Sequence, residues 1–106
     1  MTRTFNEYFI EKLKNPEEAK AQLELALQEY ENDGDTEAFM LILRFIAEAQ
    51  GGISKLAERS HLNRQNLYKI LTCKTIPRFD TTLAIMKGLG YRISVEGFGQ
   101  PDIGVS

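Results

Sequence analysis

The sequence contains few of the residues that build disulfide frameworks or metal centres. Its 106 residues include one cysteine, Cys73, one histidine, His61, and no tryptophan. A single cysteine cannot close an internal disulfide, and with one histidine it cannot supply the four ligands of a structural zinc site. A disulfide scaffold and a structural zinc module are therefore excluded, and we expect neither a metal nor a cofactor.

Long apolar segments are also missing. The longest apolar run extends from Ala38 to Leu43, far short of the roughly 20 residues of a membrane span. The first five residues are not followed by the apolar segment and cleavage site of an export signal. Apolar residues make up 42% of the chain and charged residues 26%, a balance typical of one soluble domain. We therefore expect a cytoplasmic protein that makes no contact with a membrane.

Charge is unevenly divided along the chain. Residues 1–50 contain five Lys/Arg and eleven Asp/Glu, a net charge of −6, whereas residues 51–106 contain eight and four, a net charge of +4. Within residues 53–78 there are six basic residues and one acidic residue. This division suggests a polyanion-binding face on an acidic body, although uneven scatter of charges in a short chain is the alternative.

Apolar residues at helical spacing predict five helices, with Asn15 and Asp35 as caps before the first two and Gly90 after the last. In the fifth helix we expect Phe79, Leu83, Met86 and Leu89 on the buried face. Upstream, residues 5–9 form either a short helix or a docking arm. The predicted helices extend from about Pro16 to Glu31 and Thr36 to Gln50, then around Leu56 and after Asn63, and finally from about Phe79 to Leu89.

The second predicted helix is apolar on almost every side. Between Ala38 and Ala49, ten of twelve residues are apolar. Such a helix must be covered all round, so it is either the central element of the domain or part of it faces another chain.

The segment from Tyr91 to Glu96 alternates apolar and polar residues, which is a β-strand pattern. The sequence offers no second strand, so we expect this one to pair with its own copy across a two-fold axis. In that homodimer Tyr91, Ile93 and Val95 lie in the interface; an unpaired tail packed on the core is the alternative.

The segment 53–71 has the layout of a helix-turn-helix. Ala57 is small where two helices must cross closely, and Leu67 and Ile70 fix the second helix against the first. His61 stands in the turn, where glycine is common because the backbone takes a positive φ; histidine tolerates that region better than most residues. Cys73, without a neighbouring base or second cysteine, is expected to be incidental.

The outward face of the second short helix has no acidic residue. In the major groove of DNA, Gln and Asn can form hydrogen bonds with the edge of adenine, and Arg and Lys with the edge of guanine. The first turn of the second helix of a helix-turn-helix enters that groove. Flanking cations, Arg78 among them, can bind backbone phosphates. We therefore predict a DNA-binding surface of Lys55, Arg59, Asn63, Arg64, Gln65, Asn66, Tyr68, Lys69, Thr72 and Lys74.

Signals for catalysis are absent from the sequence. It has no Gly-rich phosphate loop, no Ser/His/Asp set and no carboxylate pair suited to a pocket. The protein is therefore not expected to be an enzyme.

Five short motifs together carry a family resemblance: DGD at 33–35, AQGGISKLA at 49–57, LNRQNLYKIL at 62–71, PRFDT at 77–81 and LGYRISV at 89–95. In this combination, residues 5–96 resemble the HigA-like antidote proteins (antitoxins) of bacterial type II addiction modules, which have a Cro/repressor-type helix-turn-helix. The chain differs from the family at His61, where Gly is common, and at residues 74–76, where a Gly/Asn-rich turn is usual.

The resemblance implies an all-α, lambda-repressor-like fold and a homodimer that binds double-stranded operator DNA. It also implies a RelE/ParE-like toxin partner and autoregulation, with Arg64, Gln65, Tyr68 and Lys69 on the recognition helix. A stand-alone repressor, or an adaptor that has lost DNA binding, are the alternatives. The expected organisation is an N-terminal helical extension (1–34), a helix-turn-helix domain (35–90), and a C-terminal strand and tail (91–106).

Overall fold

A computed structural model of the chain describes residues 4–97 and residue 99. These residues contain six α-helices and no β-strand. The all-α class is confirmed, whereas the five-helix count with a terminal strand is wrong. The helices are α1 (Phe5–Lys12), α2 (Pro16–Asp33), α3 (Thr36–Ala49), α4 (Ile53–Ser60), α5 (Arg64–Leu71) and α6 (Phe79–Leu89).

The starts of α2 and α3 lie at the predicted capping residues. The Asn15 side chain accepts a hydrogen bond from the Glu17 N–H (2.9 Å), and the Asp35 side chain accepts one from the Ala38 N–H (3.0 Å). Each bond satisfies a backbone donor that has no partner inside the helix. Gly34, at φ 65°, ends α2 in the left-handed conformation. Local chemistry therefore fixes this boundary between the two longest helices.

The segment upstream of α2 is a helix, which accounts for the sixth. Thr4 and Glu7 form a capping box at its start. On its inner side, the Phe9 ring meets the Phe45 ring of α3 edge-on, with centroids 5.6 Å apart. Leu13, just past its end, is buried. Contact with α3 therefore positions α1.

The central element of the fold is α3, which packs against each of the other five helices. Leu43 and Ile46 have no solvent exposure. The apolar run thus forms the centre of the core, the first of the two arrangements that its composition allowed. Ala19 and Leu23 of α2 belong to the same core.

In α6 the buried residues are Ile85, Met86 and Leu89, whereas Phe79 is 65% exposed. The expectation that Phe79 is buried is wrong. It is the first residue of the helix and lies more than one turn before Ile85, outside the region that the other helices cover.

The predicted C-terminal strand is not present: residues 91–97 have no regular secondary structure. The Tyr91 N–H donates to the Met86 carbonyl (2.9 Å), and its hydroxyl donates to the Pro16 carbonyl oxygen (3.4 Å). Tyr91 is therefore half-buried against its own chain, and Val95 is exposed. A strand needs a ladder partner, and the described residues of this chain provide none.

Candidate nucleic-acid interface

Two eight-residue helices, α4 and α5, pack together across a three-residue turn. Leu56 and Leu67, one from each helix, have no solvent exposure. Between them His61 takes φ 58° and ψ 35°, and the Leu62 N–H returns to the Ala57 carbonyl (3.1 Å). The prediction of a positive φ at His61 is confirmed, and this turn directs α5 away from the axis of α4.

The start of α5 is set by Asn63. Its side-chain oxygen accepts hydrogen bonds from the N–H groups of Gln65 (2.9 Å) and Asn66 (3.1 Å). The Asn63 side-chain oxygen is therefore used to cap α5, and Asn63 fixes the first turn of that helix.

Five of the predicted DNA-binding residues line one groove of about 400 Å³, which we call the cationic groove. Four of them follow one face of α5, and the fifth comes from the loop after it. The Lys74 ammonium lies 5.3 Å from the centroid of the Tyr68 ring, within the range of a cation–π contact. The lining residues are Ile53, Arg64, Gln65, Tyr68, Lys69 and Lys74.

The cationic groove carries three positive charges and no negative one among its lining side chains. Within residues 4–97 and 99, no side chain accepts a hydrogen bond from Arg64, Gln65 or Lys69. Exposed cations of this kind can bind phosphates, and a carboxamide such as Gln65 can bond two atoms of an adenine edge. The groove is thus chemically suited to a polyanion whose base edges can form hydrogen bonds with its side chains.

Sequence reasoning missed Ile53 as a lining residue. Its helical spacing with Leu56 indicates only a core-facing position in α4, and it is half-buried. Its contribution to the groove depends on how α5 crosses α4, which local spacing does not encode.

The other five predicted residues lie outside the lining of the cationic groove: Asn63, described above, Arg59, described below, and Lys55, Asn66 and Thr72. Lys55 folds over Gly51, with its Cδ 2.8 Å from the position that a Cβ on Gly51 would take. Asn66 is exposed, but it is not part of the lining. The Thr72 hydroxyl donates to the Tyr68 carbonyl (2.7 Å) and so is used within its own helix end.

A family model described as "Probable addiction module antidote protein" matches residues 5–97. The chain belongs to this family. An antidote of an addiction module is the antitoxin of a toxin–antitoxin pair, so membership implies a toxin as the partner. No curated protein and no solved structure matched the chain.

In this antidote protein Arg59, another predicted DNA contact, joins α4 to the end of α6. Its Nε donates to the Gly88 carbonyl (2.8 Å) and its Nη2 donates to Gln50 Oε1 (2.9 Å). Gln50 in turn donates to the Leu89 carbonyl (2.9 Å). These are two of the carbonyls that a helix end leaves without partners. Arg59 therefore has a structural role that helical spacing did not reveal.

Cys73 ends α5 in an unexpected conformation, with φ 59°. The Lys74 N–H donates to the Lys69 carbonyl (2.8 Å), which is the bond of a Schellman motif. Burial raises the pKa of the Cys73 thiol, and the negative charges of Glu37 and Asp35 raise it further. A raised pKa disfavours the thiolate, which is the nucleophilic form of cysteine.

Two further observations concern the antidote protein as far as the structure describes it. No three His, Cys, Asp or Glu side chains in that part come together as metal ligands could. None of its helices has both the length and the apolar character for crossing a membrane.

Proposed function

We propose that this antidote is a sequence-specific DNA-binding repressor with a Cro-type helix-turn-helix. In this proposal α4 and α5 are the helix-turn-helix pair, and α5 is the recognition helix. The protein acts in the cytoplasm as a homodimer by stoichiometric binding, not catalysis. The observation that carries the proposal is the cationic groove, which unites Arg64, Gln65, Tyr68, Lys69 and Lys74 on one exposed surface.

The side chains divide into two roles by their chemistry. Gln65, in the first turn of α5, is suited to reading a base edge, whereas Lys74 is suited to a phosphate. Because Lys74 is in the loop after α5, with its ammonium 5.3 Å from the centroid of the Tyr68 ring, it lies at the margin of the recognition helix. A duplex groove entered by α5 would bring its phosphates to such a margin.

We further propose that the toxin partner is a basic, RelE/ParE-like protein and that the antidote represses its own operon. The first 50 residues carry a net charge of −6. Opposite charge between partners favours their encounter and fixes their orientation. Residues 1–50, with their negative net charge, would thus attract a basic protein, and the cationic groove would attract DNA.

Electrophoretic mobility shifts test the DNA-binding proposal, with DNA from upstream of the coding region against random DNA at two salt concentrations. Gln65→Ala should reduce discrimination at one base pair by about 1–3 kcal/mol. Lys74→Ala should weaken binding to both DNAs and lower the salt slope by about one phosphate contact per subunit. Lys20→Ala is the control, since it removes an exposed charge from α2.

Three outcomes of the mobility-shift experiment would contradict parts of the DNA-binding proposal. Equal binding of the wild type to upstream and random DNA would contradict sequence-specific repression. Equal losses on both DNAs for Gln65→Ala would contradict base reading by Gln65. No binding to either DNA would favour an adaptor that has lost DNA binding.

The toxin is tested by expressing this chain together with the adjacent gene. A small basic protein encoded by that gene should co-purify with the antidote in a fixed ratio. If it is produced but does not bind, the adjacent gene does not encode the toxin of this antidote, and the pairing proposed here is wrong.

A further inference from the structure

Ile53 is the one aliphatic residue among the described residues that line the cationic groove; each of the others carries a charge, an amide or a phenol. It is the first residue of α4. Its side chain is half-buried, because it packs against the hydrophobic core as well as lining the groove. The DNA-binding function proposed above uses the polar side chains of the groove and gives Ile53 no role.

The backbone before Ile53 fixes its position. Gly51 and Gly52 take φ 111° and 104°, a region that other residues rarely adopt. The Gly52 N–H donates to the Ala47 carbonyl of α3 (2.9 Å), and the Gly52 carbonyl accepts a hydrogen bond from the Leu56 N–H of α4 (3.3 Å). The start of α4 is therefore tied to the end of α3. Because Ile53 is branched at Cβ, few rotamers are open to it, and it offers a defined apolar surface beside α5.

The neighbours of Ile53 in the cationic groove are the side chains best suited to base edges. Arg64 and Gln65, in the first turn of α5, line the same groove. A duplex that enters the groove far enough to form hydrogen bonds with Gln65 would therefore bring its base edges close to Ile53 as well.

One base offers an apolar group on its major-groove edge, namely thymine with its C5-methyl group. The other bases present hydrogen-bond donors and acceptors there. An aliphatic side chain pressed against such groups would remove their water without supplying a hydrogen bond, which is unfavourable. Thymine pairs with adenine, the base whose edge suits Gln65. Ile53 and Gln65 therefore favour the same kind of base pair.

We propose that Ile53 determines specificity in the cationic groove by packing on the C5-methyl group of a thymine in the DNA half-site that α5 enters. The inference rests on the proposed DNA-binding function and adds a base contact from α4 to those from α5. Burial of one methyl group corresponds to about a 4-fold difference in affinity.

Replacement of thymine with uracil tests the proposal, because uracil lacks only the methyl group and keeps the same hydrogen-bonding edge. The full chain is bound to duplexes of its upstream DNA in which one thymine at a time is replaced with uracil. At one thymine of a half-site, the wild type should bind the uracil duplex about 4-fold more weakly. The difference at that position should disappear with Ile53→Ala and fall to about 2-fold with Ile53→Val.

Ile70→Ala is the matched control. Ile70 is a half-buried isoleucine of α5 that packs against the same core but does not line the cationic groove. Its truncation should lower the free energy of unfolding and preserve the preference for thymine over uracil. Circular dichroism of each variant at the temperature of the binding experiment checks the helix content. Ile53→Val removes a single methylene group and keeps the test decisive if Ile53→Ala does not fold.

A thymine–uracil difference that is the same in the wild type and in both Ile53 variants overturns the inference. Loss of the difference with Ile70→Ala as well would assign it to the general packing of α5 and also overturns the inference. The two proposals fail in different ways. A wild type that prefers its upstream DNA but has no thymine whose methyl group matters contradicts the contact of Ile53 alone, whereas equal binding to upstream and random DNA contradicts the repressor proposal and the contact together.

Discussion

The hydrogen bonds that join α4 to the end of α6 make a quantitative prediction for Arg59. Arg59→Ala removes two bonds, one to the Gly88 carbonyl and one to Gln50. A hydrogen bond contributes about 0.5–1.5 kcal/mol net, and more when the donor is charged. Both bonds are exposed to solvent, which reduces the benefit of the charge. We therefore expect Arg59→Ala to lower the free energy of unfolding by about 1–2 kcal/mol.

A double-mutant cycle with Gln50→Ala isolates the shared bond. Urea unfolding of the wild type, both single variants and the double variant should give a coupling energy of about 0.5–1 kcal/mol. For a domain of this size, each kcal/mol corresponds to a Tm change of about 4–8 °C. Lys55→Ala is the control, since it removes an exposed charge from the same helix, and its effect should remain within about 0.5 kcal/mol.

The same variants separate a structural role of Arg59 from a phosphate contact. If Arg59 is engaged at the end of α6, Arg59→Ala should leave the salt slope of DNA binding close to that of the wild type. A loss of stability no larger than that of Lys55→Ala, together with a salt slope reduced by about one contact, would refute the structural assignment.

Two further predictions concern the turn between α4 and α5. Asn63→Ala should lower the free energy of unfolding by about 1 kcal/mol, because two N–H groups of α5 lose their acceptor, whereas Asn63→Asp should retain most of the wild-type stability. Equal losses of stability for the two variants in thermal melts would exclude capping as the cause. His61→Gly should raise the free energy of unfolding by up to about 1 kcal/mol in urea melts, because glycine takes φ 58° without strain. A decrease would show that the His61 side chain itself stabilises the turn.

Local chemistry made much of this fold predictable. Asn15, Asp35 and Asn63 are capping residues whose acceptors lie within three residues of the donors that they satisfy. The conformation of His61 likewise follows from the short connection between two helices. Such features depend on near neighbours in the chain, so a single sequence contains the information that decides them.

Features that depend on contacts between distant segments were less predictable. Arg59 and Gly88 are 29 positions apart, and their bond exists only because α4 and α6 cross. The alternation after Gly90 is equally ambiguous, since a strand and an extended tail share a period of two residues. Here Tyr91 packs on its own chain, and the described residues provide no ladder partner.

The cationic groove rests on elements that its own side chains do not stabilise. Leu67 and Leu71 fix α5 from the buried side, and α4 approaches α6 closely because Gly88 has no side chain: a Cβ there would lie 2.8 Å from Leu56 Cδ1. Close-packed interiors resist displacement of their helices. Gln65, in contrast, lies on the opposite face of α5 and is exposed. The stability of the fold and the DNA preference that we propose therefore depend on different sets of residues. We expect exposed substitutions in the groove to change that preference without loss of the fold, whereas a residue larger than glycine at position 88 would alter the helix crossing and displace all side chains of the groove together.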